Sequence, residues 1–312
     1  MSMTLTEQIK DEAHRLGFQA VGVSRSTSAR PEAGHLKEWL ARGYQGEMTW
    51  MARTVGKRSN PALVLPGVRS IVSVGMNYYT EDEPNDGHGH GRIARYARGK
   101  DYHRVLADRL ELLAAFIDRE VLDSRSRVYV DTGPIMEKAW AQRAGLGWIG
   151  KHSNLVSGQY GSWLLLGEVL TTAALEPDAP AHDLCGSCTL CIRACPTGAI
   201  SEPYVVDARR CLSYLTIEQK GRIPKELQAA AGNRIFGCDD CLEACPYNRH
   251  ATASSEPGFR GSAPTLNPDL QALAQQTAKE FQTAFRMSAV RRATYEGFQR
   301  SVAVAIDNDR SA

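Results

Sequence analysis

The chain has 312 residues, of which 43% are hydrophobic and 23% are charged, and its formal net charge is +2. This length predicts two domains, and the apolar content is sufficient for ordinary cores. The small net charge excludes a protein that binds nucleic acid over a generally basic surface, so any such binding must be local. Because the longest apolar runs are too short to cross a bilayer, we expect a soluble protein with no membrane partner.

Helices and strands alternate along the first half of the chain. Thr4 and Glu7 form a capping-box pattern that opens a predicted helix, and Gly17 ends it. Further apolar spacing predicts strands over 18–23, 69–76, 127–131 and 162–174, and helices over 32–42, over 102–122 and from Pro134 onward. The interleaving indicates an α+β fold.

The stretch that begins at Glu176 is rich in proline and alanine and is typical of a linker. We therefore divide the chain into an α+β domain over 1–176, a cysteine-bearing domain over 177–255 and a helical segment over 256–312. Two helices are predicted in that last segment, near 269–285 and 289–306. The residues Gly145, Gly147 and Gly150 have the spacing of a dinucleotide-binding motif, but they follow a predicted helix where that motif needs a strand.

All eight cysteines lie between Cys185 and Cys245. Seven of them form two runs, C-x2-C-x2-C-x3-C-P from Cys185 and C-x2-C-x3-C-P from Cys238, which is the spacing of a protein with two iron-sulfur clusters. The second run lacks its first ligand, because Ile235 stands there, and Cys211 is the thiol left to supply it. The cysteine before each proline ligates the other cluster. The predicted 4Fe-4S ligand sets are Cys185, Cys188, Cys191 and Cys245, and Cys195, Cys211, Cys238 and Cys241.

Structural zinc and disulfide bonds are the alternatives for these cysteines. A zinc ribbon explains neither the third cysteine of the first run nor the two Cys-Pro endings. Disulfides need an oxidising compartment, and the segment Met1 to Arg15 has no apolar signal core. We therefore expect a cytoplasmic protein with reduced thiols.

The chain resembles the epoxyqueuosine reductase family nearly from end to end. The residues that carry the resemblance, besides the cysteines, are Lys57-Arg58-Ser59-Asn60-Pro61, Leu65-Pro66-Gly67, the run from Arg95 to His103, Val130-Asp131-Thr132-Gly133-Pro134, the run from Gly145 to Leu155, and the run from Cys211 to Thr216. The resemblance implies a first domain with an α/β sandwich-like form that binds cobalamin, followed by a bacterial ferredoxin-like domain with two clusters and by C-terminal helices.

The same resemblance implies the reaction. Members of the family reduce the epoxide of epoxyqueuosine at the wobble position of tRNA to the alkene of queuosine, with loss of water, using electrons that pass through the clusters to cobalamin. Asp131 is implied as the proton donor, which requires that burial raise its pKa. An N-cap or an Asx turn is the structural alternative for this aspartate.

Cofactor contacts are carried over from the family by position. They are Arg58, Asp131, Asn154, Leu155, Gly158, Val169 and Ser213. Core packing is the alternative for Leu155 and Val169, and a surface ion pair is the alternative for Arg58. Asp101-Tyr102-His103 begins the motif Asp-x-His-x-x-Gly, whose histidine binds cobalt, but Leu106 replaces the glycine. We therefore predict no axial histidine.

Local charge and the resemblance together predict contacts with the anticodon backbone of tRNA. These contacts are Thr216, Gln219, Lys220 and Arg222, with Arg291, Arg292 and Arg300 as a second patch. The chain is expected to be a short form without the C-terminal HEAT-like repeats, a monomer, and dependent on an external low-potential electron donor. The alternative functions are a ferredoxin-like electron carrier and an enzyme like the corrinoid reductive dehalogenases.

Overall fold

The computed structural model describes residues 3–27, 30–85 and 87–311. The helices are α1 Leu5–Arg15, α2 Arg30–Ala41, α3 Thr49–Arg53, α4 Val55–Ser59, α5 Tyr102–Glu120, α6 Glu137–Arg143, α7 Leu190–Ala194, α8 Leu212–Ile217, α9 Lys225–Ala231, α10 Asp240–Glu243, α11 Ala263–Leu266, α12 Leu270–Gln275, α13 Ala278–Ala284 and α14 Thr294–Asp309. The strands are β1 Ala20–Arg25, β2 Ser70–Asn77, β3 Arg92–Ile93, β4 Ser126–Tyr129, β5 Trp148–Ile149, β6 Leu155–Val156, β7 Leu164–Thr171, β8 Ile200–Glu202, β9 Val205–Val206 and β10 Arg234–Phe236. Within the described ranges, no helix is long and apolar enough to cross a membrane.

A four-stranded antiparallel sheet forms the centre of the first half, in the order β1-β2-β7-β4. Every residue of β2 is buried. Because successive side chains of a strand point to opposite faces, such a strand must be covered on both sides. Helices α1 and α5 cover one face, and α6 covers the other.

Helix α5 is the longest helix over the sheet, and its apolar residues recur at helical spacing. Leu106, Leu110, Leu113 and Ile117 are fully buried, and burial of each such side chain contributes about 1.5–3 kcal/mol relative to exposure. Gly167 of β7 lies directly beneath this stripe, where an added Cβ would come within 2.6 Å of Leu110. The close approach places the middle of α5 directly against β7.

The cysteine segment and the C-terminal helices pack into the same core as the first half. Strand β10 pairs in parallel with β3, and α14 contacts β10, α8, α9 and α12. The rings of Phe281, Phe285 and Phe298 lie 5.2–5.3 Å apart and join a cluster of buried residues that runs from Ile9 to Ala305. The three segments therefore share a core, and their division into domains stays a prediction.

The α+β fold predicted from the sequence is confirmed. The capping box of Thr4 and Glu7 is present at the start of α1, and the predicted strands and helices of the first half are found within a few residues. The helix expected from Pro134 begins at Glu137 instead. The helix expected over 269–285 is two helices, because Thr277 and Glu280 form a second capping box that starts α13.

Candidate active site

One group of thiols lies on the loop before α7, in α7 itself and just after α10. It consists of Cys185, Cys188, Cys191 and Cys245. Burial raises the pKa of Cys191, and negative charge on the other three members raises it further, so the four are neighbours. The indole N–H of Trp148 donates to Cys185 Sγ at 3.4 Å, and Lys151 Nζ donates to two carbonyls of the 186–188 loop at 2.6 and 2.9 Å.

The second group of thiols is made up of the other four cysteines. It consists of Cys195, Cys211, Cys238 and Cys241. Burial, and then charge on the other three members, raises the pKa of Cys241 well above its usual value. Within the described part of the chain, no three His, Cys, Asp or Glu side chains are placed to bind one metal ion. The two groups match the predicted ligand sets, which remain a prediction.

A cavity of about 1690 Å³ lies beside the second group of thiols, and Cys211 is on its wall. Ordinary small-molecule sites are about 300–1,000 Å³, so this cavity has room for an unusually large ligand. Its wall includes the aromatic residues Trp39, Trp50 and Tyr102. It also carries eight lysine or arginine residues against five aspartate or glutamate residues, which favours an anionic partner.

Asp131 is on the cavity wall in a network with the first residues of α5. The hydroxyl of Tyr102 donates to Asp131 Oδ2 at 3.0 Å. His103 Nε2 lies 3.3 Å from the same oxygen, while His103 Nδ1 lies 2.7 Å from Asp101 Oδ1. Asp101 is also the N-cap of α5. The loop after β4 and the start of α5 thus bring together one histidine and two carboxylates.

This network sets the charge of its members. Burial lowers the pKa of His103, but the hydrogen bonds and charges of Asp101 and Asp131 outweigh it and raise the pKa to about 9. Burial raises the pKa of Asp131, yet His103 and Tyr102 outweigh it, and the net shift is downward. This direction is opposite to the rise that a proton donor requires, because these two donors stabilise the ionised carboxylate. At neutral pH the pair is an imidazolium beside a carboxylate.

Two further charged groups lie behind Asp131, at the start of α6. The carboxylate of Glu137 accepts the backbone N–H of Asp131. Burial raises the pKa of Glu137 to about 7. Lys138 Nζ reaches the cavity wall, where it donates to the carbonyl of Ser153 at 2.9 Å and to Asn154 Oδ1 at 2.7 Å.

Four of the predicted cofactor contacts lie on the cavity wall, namely Arg58, Asp131, Asn154 and Ser213. Arg58 is buried, with Nη1 donating to the carbonyl of Ile135 at 2.9 Å. Three other predicted contacts are not brought to this wall. Leu155 and Val169 are packed in the core, and Gly158 lines a separate, smaller cavity. For Leu155 and Val169, the core-packing alternative describes the side chains correctly.

Some of the predicted RNA contacts are exposed at the surface, and others are not. Lys220 and Arg222 are exposed on the loop after α8, next to Gln219. Thr216 is fully buried, and its hydroxyl donates to the carbonyl of Leu212 at 2.7 Å and accepts the N–H of Gly237 at 2.9 Å, so it is not available to RNA. Arg291 is exposed near the cavity mouth.

Arg292 and Arg300 hold protein groups instead of presenting free guanidinium groups. Arg292 forms a two-point ion pair with Glu218, with both N···O distances at 2.9 Å. Arg300 donates to the carbonyls of Leu215, Gln219 and Gly221 at 2.5–2.6 Å. Arg300 thus supports the loop that carries Lys220, and its place in an RNA-facing patch stays a prediction.

Sequence reasoning missed the roles of His103, Glu137 and Lys138. The sequence presents His103 only as part of an incomplete cobalt-ligand motif. Asp101, two positions earlier, is the N-cap of α5, and this position could have indicated that its carboxylate lies beside His103. Glu137 and Lys138 have no signal in the sequence, since their neighbours in space are supplied by the loop after β4 and by the turn between β5 and β6.

The fold and the site define an oxidoreductase with two iron-sulfur clusters beside a large ligand cavity. A family model for a 4Fe-4S double cluster binding domain matches residues 184–248, so the clusters are 4Fe-4S and the zinc and disulfide alternatives are set aside. A second family model, described as epoxyqueuosine reductase QueG, DUF1730, matches residues 58–132.

Relatives and solved structures agree with these matches. The epoxyqueuosine reductase of Synechocystis is 47% identical over 83% of this chain and 90% of its own length. A structure of epoxyqueuosine reductase with an epoxyqueuosine-modified stem loop of tyrosine tRNA has a TM-score of 0.91 and 32% identity, over 99% of this chain and 82% of that one. A Bacillus subtilis epoxyqueuosine reductase, solved with a catalytic loop named for an aspartate swung out of the active site, has a TM-score of 0.90 and 30% identity over the same shares. The chain belongs to the epoxyqueuosine reductase family, as its sequence predicted, and is an oxidoreductase.

Proposed function

We propose that this chain reduces the epoxide of epoxyqueuosine in tRNA to the alkene of queuosine. The observation that carries the proposal is the cavity itself, which has the network of Asp131 on one wall and the thiol of Cys211 on another. A proton source and an electron source thus face the same space. An electron carrier would need neither the enclosed volume nor the acid network.

The residues of the cavity fit cobalamin. The volume exceeds that of ordinary sites, Trp39 and Trp50 offer flat apolar faces, and Asn154 and Ser213 offer an amide and a hydroxyl to the amide groups at the rim of a corrin. Both ring nitrogens of His103 face carboxylates, so this histidine offers no free nitrogen to cobalt. We propose that Arg58, Asn154 and Ser213 hold the cofactor and that no histidine is an axial ligand.

Removal of the epoxide oxygen as water takes two electrons and two protons, and it converts the two C–O bonds into a C=C bond. Cobalamin, when bound, supplies a low-valent metal centre that delivers electrons no side chain can supply. The protein must orient the epoxide toward Asp131, exclude bulk water and provide the protons.

We assign proton delivery to Asp131 together with His103. Asp131 is ionised at rest, so it cannot act alone as the acid. His103 carries a proton up to about pH 9 and lies 3.3 Å from Asp131 Oδ2. One of the two protons therefore moves from His103 through the Asp131 carboxyl group to the departing oxygen, and solvent supplies the second proton, which completes the water. The catalytic loop named in the Bacillus subtilis relative carries an aspartate, and we propose that Asp131 occupies that role here.

Electrons enter at the first group of thiols and leave at the second. Cys185 lies next to an exposed loop that carries Leu184 and Leu190, which are 56% and 39% exposed, while Cys211 adjoins the cavity. We propose that an external low-potential donor contacts the chain beside Leu184 and Leu190. A tRNA substrate places the reaction in the cytoplasm, and we propose that the chain acts as a monomer.

The RNA is proposed to cover the mouth of the cavity. Lys57, Arg104, Arg286 and Arg291 are exposed on its wall, and Lys220 and Arg222 lie on the loop that follows α8. These charges suit the phosphates of a stem loop whose modified base enters the cavity. A relative solved with a modified tRNA stem loop supports this substrate class.

The test is anaerobic reconstitution with iron, sulfide and cobalamin, followed by turnover of a tRNA stem loop bearing epoxyqueuosine. We expect about eight irons and one cobalt per chain, the two 4Fe-4S clusters accounting for the iron, and formation of queuosine. Asp131→Asn should keep iron and cobalt and lose turnover by at least about a hundredfold, the size of a general-acid contribution. Full turnover by that variant would remove Asp131 from the mechanism, and bound iron without cobalt would favour the electron carrier.

A further inference from the structure

The loop that carries Asp131 has a constrained shape. It connects β4 to α6 over residues 130–136. Asp131 has a φ of +55°, in the left-handed region that residues other than glycine rarely adopt. An added Cβ at Gly133 would fall 2.1 Å from the ring of Tyr129, so the turn also packs tightly against the end of the strand. Such a conformation persists only where neighbouring groups hold it.

Two side chains hold this loop from outside it. Arg58 on α4 donates to the carbonyl of Ile135 at 2.9 Å, at the far end of the loop. Glu137, in the first turn of α6, accepts the N–H of Asp131 itself. A hydrogen bond to an ionised carboxylate is about twice as strong as one between neutral groups. The charge of Glu137 therefore matters for the position of Asp131.

Glu137 is not on the cavity wall formed by Lys138 and Asp131 but lies behind it. The charged groups that face it are Asp131 in the loop, Lys138 on its own helix and Arg58 on α4. Burial raises the pKa of Glu168, which is fully buried on β7, and the charge of Glu137 raises it further. On the far side of Asp131 stand His103 and Tyr102 of α5. Burial, and then the charge of Asp131, raises the pKa of Glu137 to about 7, while Lys138 and Arg58 act in the opposite direction.

We propose that Glu137 is a positioning residue whose ionised carboxylate holds the Asp131 loop in its working position, and whose protonation releases that loop. The inference rests on the proposed function of Asp131. Glu137 does not line the cavity, and it acts through one backbone N–H. It follows that proton delivery through Asp131 becomes slower at acid pH, even though His103 stays charged there.

The test compares Glu137→Ala and Glu137→Gln with the wild type and with Glu111→Ala, an exposed glutamate on α5. Hydrogen exchange of the peptide that contains Asp131, measured without cobalamin or tRNA, should become at least about tenfold faster in Glu137→Ala, and Glu111→Ala should match the wild type. Misplacement of a catalytic group by about 1 Å can cost about a hundredfold in rate. We therefore expect kcat to fall by about tenfold to a hundredfold, with KM for the stem loop within about twofold.

Glu137→Gln keeps the shape of the side chain and folds even if Glu137→Ala does not. Its amide has no proton to gain near neutral pH, so the ratio of wild-type kcat to Glu137→Gln kcat should rise as the pH rises through about 7. Unchanged exchange in both variants overturns the proposal whether or not the wild type turns over, and a constant kcat ratio across this pH range overturns the role of protonation. If the wild type is inactive but hydrogen exchange is faster in Glu137→Ala, the proposed function is rejected. The role of Glu137 in holding the Asp131 loop is then retained.

Discussion

His103 lies between two carboxylates, and this position makes its charge part of the stability of the fold. Its pKa is raised from 6.5 to about 9 by Asp101 and Asp131, against the opposing effect of burial. A folded-state pKa above the unfolded value means that the stabilisation is complete below about pH 6.5 and is lost as the pH rises through about 9. The wild type should therefore melt at a higher temperature than His103→Gln at pH 6.5. We expect this difference in melting temperature to decrease as the pH rises to about 9.

This measurement is made anaerobically on cluster-loaded protein, at matched heating rates, because iron-sulfur proteins unfold irreversibly. His88→Gln is the control, since the side chain of His88 is 84% exposed and its Nδ1 lies 3.4 Å from Asp309 Oδ2. A melting-temperature difference that stays constant from pH 6.5 to 9 would show that His103 is neutral in the folded protein. The proton route through His103 would then need another source.

The chemistry of single residues was only partly predictable from the sequence. The cysteine ligand sets were predicted from spacing, because short loops restrict which thiols can meet, and they stay a prediction. The direction of the pKa shift of Asp131 did not follow, since Tyr102 and His103 are 28–29 residues away along the chain and meet it only when α5 packs over β4. A local motif cannot report partners that the fold brings from another element.

At the scale of elements, helix boundaries were predicted where a cap has a local signature. Thr4 with Glu7 was such a case. The same pattern at Thr277 with Glu280 was overlooked inside an apolar run, and there it starts α13 and divides the predicted helix. The short helices α7, α8, α9 and α10 of the cysteine segment begin without a side-chain cap.

Helix α14 supports the loop between α8 and α9 through one arginine. Arg300 donates to three carbonyls of that region at 2.5–2.6 Å. Loss of these charged hydrogen bonds costs about 1–3 kcal/mol for acceptors left without a partner. We expect Arg300→Met to lower the melting temperature and to weaken tRNA binding with an unchanged dependence on salt, because the loop loses its shape and no phosphate contact is removed. Arg310→Met, exposed at the end of the same helix, should match the wild type. A reduced salt dependence would instead place Arg300 on the RNA.

For the whole molecule, the cavity was the feature least accessible from sequence. Its wall is assembled from α2 to α4, the start of α5, the Asp131 loop, the region of Cys211 and the turn before α14. No pattern of fixed spacing spans such distant segments. The shared core has the same origin, because α14 buries its apolar face against β10 and α8, which makes the C-terminal helices part of the site's support.

The surface around that cavity leads to a prediction about RNA binding. Each phosphate contact adds about 0.7 to the slope of log affinity against log salt for a single strand. Lys220→Ala with Arg222→Ala should therefore weaken binding of the stem loop and reduce the magnitude of this slope by about 1.4. Arg15→Ala with Arg119→Ala is the control, because it removes the same charge from exposed positions that do not line the cavity. An equal loss of slope in both double variants would mean that net charge, and not this loop, attracts the RNA. A wild-type slope in the Lys220 and Arg222 variant would exclude the loop from the interface.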